Sequence, residues 1–171
     1  EGLVEGNVFY KVATFGTVYS NGGQDIIVRN NIFIDNNYGP ALQLKSMWFD
    51  FGLDEWDYFF GPKGVYRVRL TKLLDIKQPP YSTKYPHLVN WLDLREDGKT
   101  YYGMYPARNL MENNVLYNYE ESFRLVGVHA QFEFKNNYLT KKDPGFIYEK
   151  NLNFQLKDNS IVYQEIPGFK K

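Results

Sequence analysis

A short phrase of apolar, charged and amide positions recurs along the chain. It reads Gly6-Asn7-Val8-Phe9, Asn30-Asn31-Ile32-Phe33, Asn113-Asn114-Val115-Leu116, Asn136-Asn137-Tyr138-Leu139 and Asp158-Asn159-Ser160-Ile161. With the second residue as marker, Asn7, Asn31, Asn114, Asn137 and Asn159 are separated by 24, 83, 23 and 22 residues. Three separations share one period, and the fourth is that period plus an insertion of roughly sixty residues.

The flanks keep the same register. Three residues before each marker stand Val4, Val28, Met111, Phe134 and Leu156, and two after it stand Phe9, Phe33, Leu116, Leu139 and Ile161, all apolar. Between the first of these columns and the marker lie Glu5, Arg29, Glu112, Lys135 and Lys157, all charged. Neighbouring columns that alternate apolar and charged are the period-two signature of a strand with one buried face. Asn tolerates the left-handed backbone of a tight corner better than other residues with a side chain. Its amide can also bond to the same amide in the next repeat, as a ladder. These features predict an all-β fold, a right-handed parallel β-helix whose coils hold about 22–24 residues, with an Asn ladder at one corner. A plain meander does not require the same side chain at the same offset each time. A leucine-rich repeat would need a helical return, whereas the returns here are rich in Gly, Phe, Tyr and Val.

The period assigns residues 1–42 to coils, 43–106 to an inserted, partly helical subdomain, and 107–171 to C-terminal coils and a cap. The insertion carries all three tryptophans, Trp48, Trp56 and Trp91, and five of the eight prolines. It holds an acidic-aromatic run, Trp48-Phe49-Asp50-Phe51-Gly52-Leu53-Asp54-Glu55-Trp56-Asp57. A structureless loop of this length is unexpected, so it reads as a packed unit. Val65 to Ile76 reads as a helix or strand, and a second helix is expected around His87 to Leu92. Asp143-Pro144-Gly145-Phe146 is a turn that opens a terminal unit, expected to shield the last coil. The chain starts inside a strand pattern, without an initiator Met or a signal peptide. The reading is a fragment whose open N-terminal edge is covered by missing coils or by a second subunit.

Composition narrows the chemistry. Twenty basic and twenty acidic residues cancel, where a nucleic-acid binder normally carries a basic excess. No apolar run reaches the roughly 18–20 residues that span a bilayer. Without cysteine there is no disulfide, thiolate metal site or cysteine nucleophile. His87 and His129 form no zinc spacing, and no metal or cofactor is expected.

Asn21-Gly22-Gly23-Gln24-Asp25, leading into Val28-Arg29-Asn30-Asn31-Ile32-Phe33-Ile34-Asp35, resembles the C-terminal part of exported bacterial β-helix proteins of the carbohydrate-active, pectin-lyase-like type. Lys84-Tyr85-Pro86-His87-Leu88 and the closing Asp143-Pro144-Gly145-Phe146, Asn153-Phe154-Gln155-Leu156-Lys157 and Ser160 are similar too. The resemblance implies a glycan partner and a secreted, periplasmic or cell-surface location. It carries no catalytic residue over.

For the activity, a glycoside hydrolase needs two carboxyl groups flanking the bond. Asp50, Asp54 and Asp57, with Glu55 beside them, are the candidates. Trp48, Trp56, Tyr81 and Arg108 are the candidate substrate contacts, and Asp25 and Asp35 lie near coils beside the insertion. The plainer reading makes these acids solvated and the tryptophans anchors of the insertion. A polysaccharide lyase would instead draw its base from Tyr81, Lys84, His87 or Arg108, although the neutral charge balance and the lack of an acidic calcium cluster speak against it. A non-catalytic, glycan-binding or structural β-helix is the third reading, since the fold alone decides no function.

Overall fold

The structure is a computed structural model that describes residues 2–12, 15–35, 39–46, 54–127 and 130–170, and only the backbone of Asp54, Glu55 and Trp56. The chain divides into two compact units, Glu1–Lys45 with Pro106–Lys171, and Ser46–Tyr105.

The first unit is built mostly of short parallel strands. They are β1 (Gly2–Glu5), β2 (Val8–Tyr10), β3 (Val18–Asn21), β4 (Ile26–Arg29), β5 (Ile32–Ile34) and β6 (Leu42–Lys45), then β7 (Asn109–Glu112), β8 (Val115–Tyr117), β9 (Phe123–Val126), β10 (Phe132–Lys135) and β11 (Tyr138–Thr140). They form three parallel sheets, ordered β1-β4-β7-β10, β2-β5-β8-β11 and β3-β6-β9. The chain therefore visits the first, second and third sheets in the same order, circuit after circuit. Register follows the sequence period: Val4 pairs with Val28, Val28 with Met111, and Met111 with Phe134. The same holds one strand later for Phe9, Phe33, Leu116 and Leu139.

Inward-facing columns meet in one core. Val28, Phe33, Ala41, Leu42, Leu44, Met111, Leu116 and Tyr119 are buried there, with Val4, Phe9, Val18, Ile26, Phe132 and Phe134 packed against them. Phe9 and Phe33 stack with centroids 4.9 Å apart, the offset aromatic contact that adjacent circuits favour.

The corner between the first and second sheets uses two adjacent columns, each with its own task. Gly6, Asn30, Asn113 and Asn136 take the left-handed backbone, with φ between 53° and 70°. The markers that follow them make the amide ladder. The sequence reading assigned both tasks to the marker; the structure splits them. Asn159 is the second correction. Its strand, β13 (Asn153–Leu156), pairs antiparallel with β12 (Phe146–Tyr148) and joins none of the parallel sheets. Asn159 sits on an exposed turn after it, and among the described residues it takes no part in the ladder.

The C-terminal segment packs along the outer side of the second sheet, and Tyr138 of the last circuit lies against it. Phe146, Phe154, Val162, Ile166 and Phe169, from the β12–β13 pair and the helical turn Val162–Glu165, pack against Ile32, Ile34, Val115 and Tyr117. Those four residues point outward from β5 and β8, the two middle strands of the second sheet, which are consequently buried on both faces. This explains why β5 and β8 are apolar at every position rather than at alternate ones. Leu139 in the last circuit is 49% exposed.

The second unit is made of short helices. α1 (Asp54–Phe59) and α2 (Val65–Val68) come first, α2 running on into a wider π-helical turn, Arg69–Leu73. α3 (Tyr81–Lys84) is followed by a 3-10 turn, Pro86–Asn90. The helix expected around His87 to Leu92 is this 3-10 turn, parted from α3 at Tyr85 because the ring of Pro86 pushes the residue before it out of helical geometry. Phe60, Ile76, Leu92, Tyr101, Met104 and Tyr105 form the core of this unit. Trp91 lies flat on Gly103, where a Cβ would come within 2.3 Å of the indole, so that indole anchors the unit.

Candidate functional site

The acidic-aromatic run falls in three places. Trp48 and Asp50 lie outside the described residues, as does His129. Asp54 and Trp56 are on the backbone of α1, and nothing further is described of their side chains. Asp57, one helical turn after Asp54, is exposed. Its Oδ1 accepts a hydrogen bond of 3.2 Å from the Tyr101 hydroxyl. Tyr101 is buried, its ring stacked on Phe60 at 5.4 Å. Burial, and then the Asp57 charge, push its phenol above the ordinary value, so it stays a donor. Asp57 is therefore a solvent-facing carboxylate oriented from below by a fixed phenol.

Tyr81, half-buried, opens α3 in the same unit. Lys84, in the last turn of that helix, places its ammonium 5.3 Å from the Tyr85 ring, and Tyr85 meets His87 edge-on at 6.3 Å. These contacts tie Lys84 and His87, two of the lyase candidates, to the Tyr85 ring.

Arg108 belongs to the first unit, at a left-handed corner before β7 with φ 55°. Its Nε and one terminal nitrogen bind the two carboxylate oxygens of Asp25 at 2.6 and 2.9 Å, and the same terminal nitrogen donates to Gln24 at 2.8 Å. That two-pronged grip fixes the guanidinium plane. Asp35, another acid considered from sequence, accepts from the Asn118 amide at 2.9 Å. Among the described residues no three His, Asp or Glu side chains gather as a metal set, and no helix is long and apolar enough to cross a membrane.

Two grooves were not foreseen. One, of about 520 Å³, runs over the outer face of the first sheet, with Ile27 and Leu110 on its floor and Arg108, Phe132, Glu133 and Lys135 along it. The signal was present: Ile27 and Leu110 are apolar where strict alternation calls for polar residues. The other, of about 810 Å³, lies beside Val8 and Ile32, walled by Phe154, Tyr163 and Phe169. Its walls come from the C-terminal segment, whose docking site no local pattern announced.

Compared with known proteins, the chain matches no family model, no curated protein and no solved structure.

The geometry itself narrows what the surface can do. The groove on the first sheet offers a fixed guanidinium, paired charges and an apolar floor in an open channel. Such a lining suits an extended polar ligand with apolar ring faces. Its charges are already engaged, Lys135 with Glu133 at 3.3 Å and with Glu112 at 4.0 Å.

Proposed function

We propose that this chain is part of a right-handed parallel β-helix that acts on a polysaccharide or oligosaccharide, with glycosidic hydrolysis as its reaction. The observation that carries the fold is the parallel register of the three sheets, offset by 24 residues between β1 and β4 and by 23 between β7 and β10. Two features support the sugar reading. The open groove on the first sheet has the mixed lining that a glycan takes. Asp54 and Asp57, on α1, supply carboxyl groups of the type that glycosidic cleavage uses. The resemblance of its sequence to exported β-helix proteins extends this reading to a secreted, periplasmic or cell-surface location.

The test is turnover of a panel of neutral and acidic oligosaccharides by the full chain, followed through new reducing ends. Hydrolysis is expected, with Asp54→Asn and Asp57→Asn each lowering the rate by about 100-fold or more. Product that absorbs near the ultraviolet edge would show elimination instead. Saturable binding with no turnover would show a glycan-binding β-helix without catalysis.

A further inference from the structure

Three columns of side chains run beside the groove on the first sheet. One is aliphatic across Ile27 and Leu110 and closes on Glu133. The next is charged, with Arg29, Glu112 and Lys135 in register. The corner that leads into β4 and β7 adds the third, where Arg108 grips both carboxylate oxygens of Asp25 at 2.6 and 2.9 Å.

The Asp25–Arg108 pair is fixed from its backbone as well as from its side chains. Both residues stand in the left-handed region, with φ 58° and 55°. The corners that follow the first sheet use Gly or Asn in that conformation, the residues it suits best. Arg has no such preference, so its place here marks the position out. The Asp25 N–H donates to the Ala107 carbonyl at 3.0 Å. Asn109, 2% exposed, accepts from the Ile26 N–H at 2.9 Å and donates to the Gly23 carbonyl at 3.1 Å. One buried amide thus ties the two corners together beneath the pair.

Among the described residues, each cation of these columns faces a carboxylate of the same surface. Arg108 is held by Asp25, Lys135 lies 3.3 Å from Glu133 and 4.0 Å from Glu112, and Arg29 lies 3.2 Å from Glu5. An acidic ligand needs a cation to offset its lost hydration. To reach Arg108 it would have to displace Asp25, which stays beside it as a like charge. An uncharged sugar meets no such cost. Its hydroxyls both donate and accept, and the guanidinium and carboxylate present partners of both kinds. Its C–H faces can lie over Ile27 and Leu110.

We propose that this groove takes an uncharged glycan, and that Asp25 sets the preference by occupying Arg108. The inference rests on the glycan reading above and adds the class of sugar and the residue that selects it. Asp25 rejects acidic sugars by denying them a fixed cation, a specificity built from repulsion as much as from attraction.

Calorimetric titration of the full chain reads the preference, with hexasaccharides of glucose, galactose and xylose set against hexasaccharides of glucuronate and galacturonate. The unmodified chain should bind a neutral member at least about tenfold more tightly than its acidic counterpart. Asp25→Asn suits the same corner and frees the guanidinium. It should narrow that ratio by about tenfold or more, through a gain for the acidic sugar that fades with added salt. Adding Arg108→Gln to Asp25→Asn should remove the gain. Leu110→Glu should weaken binding of the neutral sugar, which locates it on this floor. Thermal unfolding checks that each variant is folded. Tighter binding of an acidic sugar by the unmodified chain overturns the inference and leaves the glycan reading standing. So does a ratio that Asp25→Asn leaves unchanged. Binding of no member of the panel overturns both.

Discussion

Asn31 Oδ1 accepts two hydrogen bonds from Asn7, 3.0 Å from its backbone N–H and 3.1 Å from its Nδ2. The same double contact links Asn31 to Asn114 and Asn114 to Asn137. At Asn114, which is fully buried, Nδ2 also donates to the carbonyls of Val28 and Glu112 at 2.9 Å each. At Asn31 and Asn114, both fully buried, one side chain thus satisfies backbone groups of two circuits where no water reaches.

Replacing Asn114 by Ala removes an acceptor and a donor together and leaves the Asn31 N–H and the Val28 carbonyl without those partners. The expected loss is about 2–4 kcal/mol, since a buried polar group that loses its partner costs its desolvation. Asn159→Ala, on an exposed turn, should stay within about 0.5 kcal/mol of the parent. Denaturant midpoints at unchanged slope would separate the two; equal losses would contradict the ladder as drawn.

The neighbouring column predicts a different rule. Asn136 is exposed and holds φ at 53°, and Gly6 occupies the equivalent corner at 70°. Asn136→Gly should therefore change stability by only a few tenths of a kcal/mol. Asn136→Val should lower it by about 1–2 kcal/mol, because a β-branched side chain meets the backbone in the left-handed region. Thermal midpoints of the two variants give the comparison.

Glu5 carries a pH prediction. Lys170 at 2.6 Å, then Arg29 at 3.2 Å and the Asn30 amide, hold its carboxyl at about 2 against an ordinary 4.5. A carboxyl depressed by folding stabilises the native state above its unfolded value. That contribution is lost as the pH falls from about 4.5 toward 2. The advantage of the parent over Glu5→Gln should be full at pH 6, shrink through this window and fade with added salt. Melting curves that run parallel at every pH would show that the three-way ion contact contributes nothing.

Glu149 shifts the other way. Burial, followed by the charges of Asp143 and Asp35, raises its carboxyl above the ordinary value. Its protonated form is the one the fold favours, and that contribution is lost as the pH rises through the raised value. Glu149→Gln should therefore stabilise the protein at neutral pH and lose this advantage in acid, read from the same melting curves.

The outer cover of the second sheet predicts what the C-terminal segment is for. Phe146 is 2% exposed and touches Tyr117 and Phe154 edge-on, with centroids 5.7 and 5.3 Å apart. Phe146→Ala should cost about 3–5 kcal/mol. Removing residues 143–170 should uncover Ile32, Ile34, Val115 and Tyr117 together. A sharp gain in binding of a hydrophobic dye, with self-association, is the expected result.

The marker period, the alternation of apolar and charged columns and the place of the insertion can all be read from the residues. Each depends on one circuit at a time, on the period of two along a strand and on the sterics of a corner. Less was legible at the candidate site. Asp57 stands out as an acid, but its phenol partner Tyr101 is 44 residues away, and Arg108 meets Asp25 across 83 residues.

The sequence by itself therefore determined the repeat and the faces of its strands. Tertiary structure alone decided that the last repeat turns antiparallel, that the C-terminal segment lies on the outside of the second sheet, and that Arg108 is held. A strand's pattern states which face seeks burial, whereas the surface that buries it is chosen among all apolar surfaces of the chain at once.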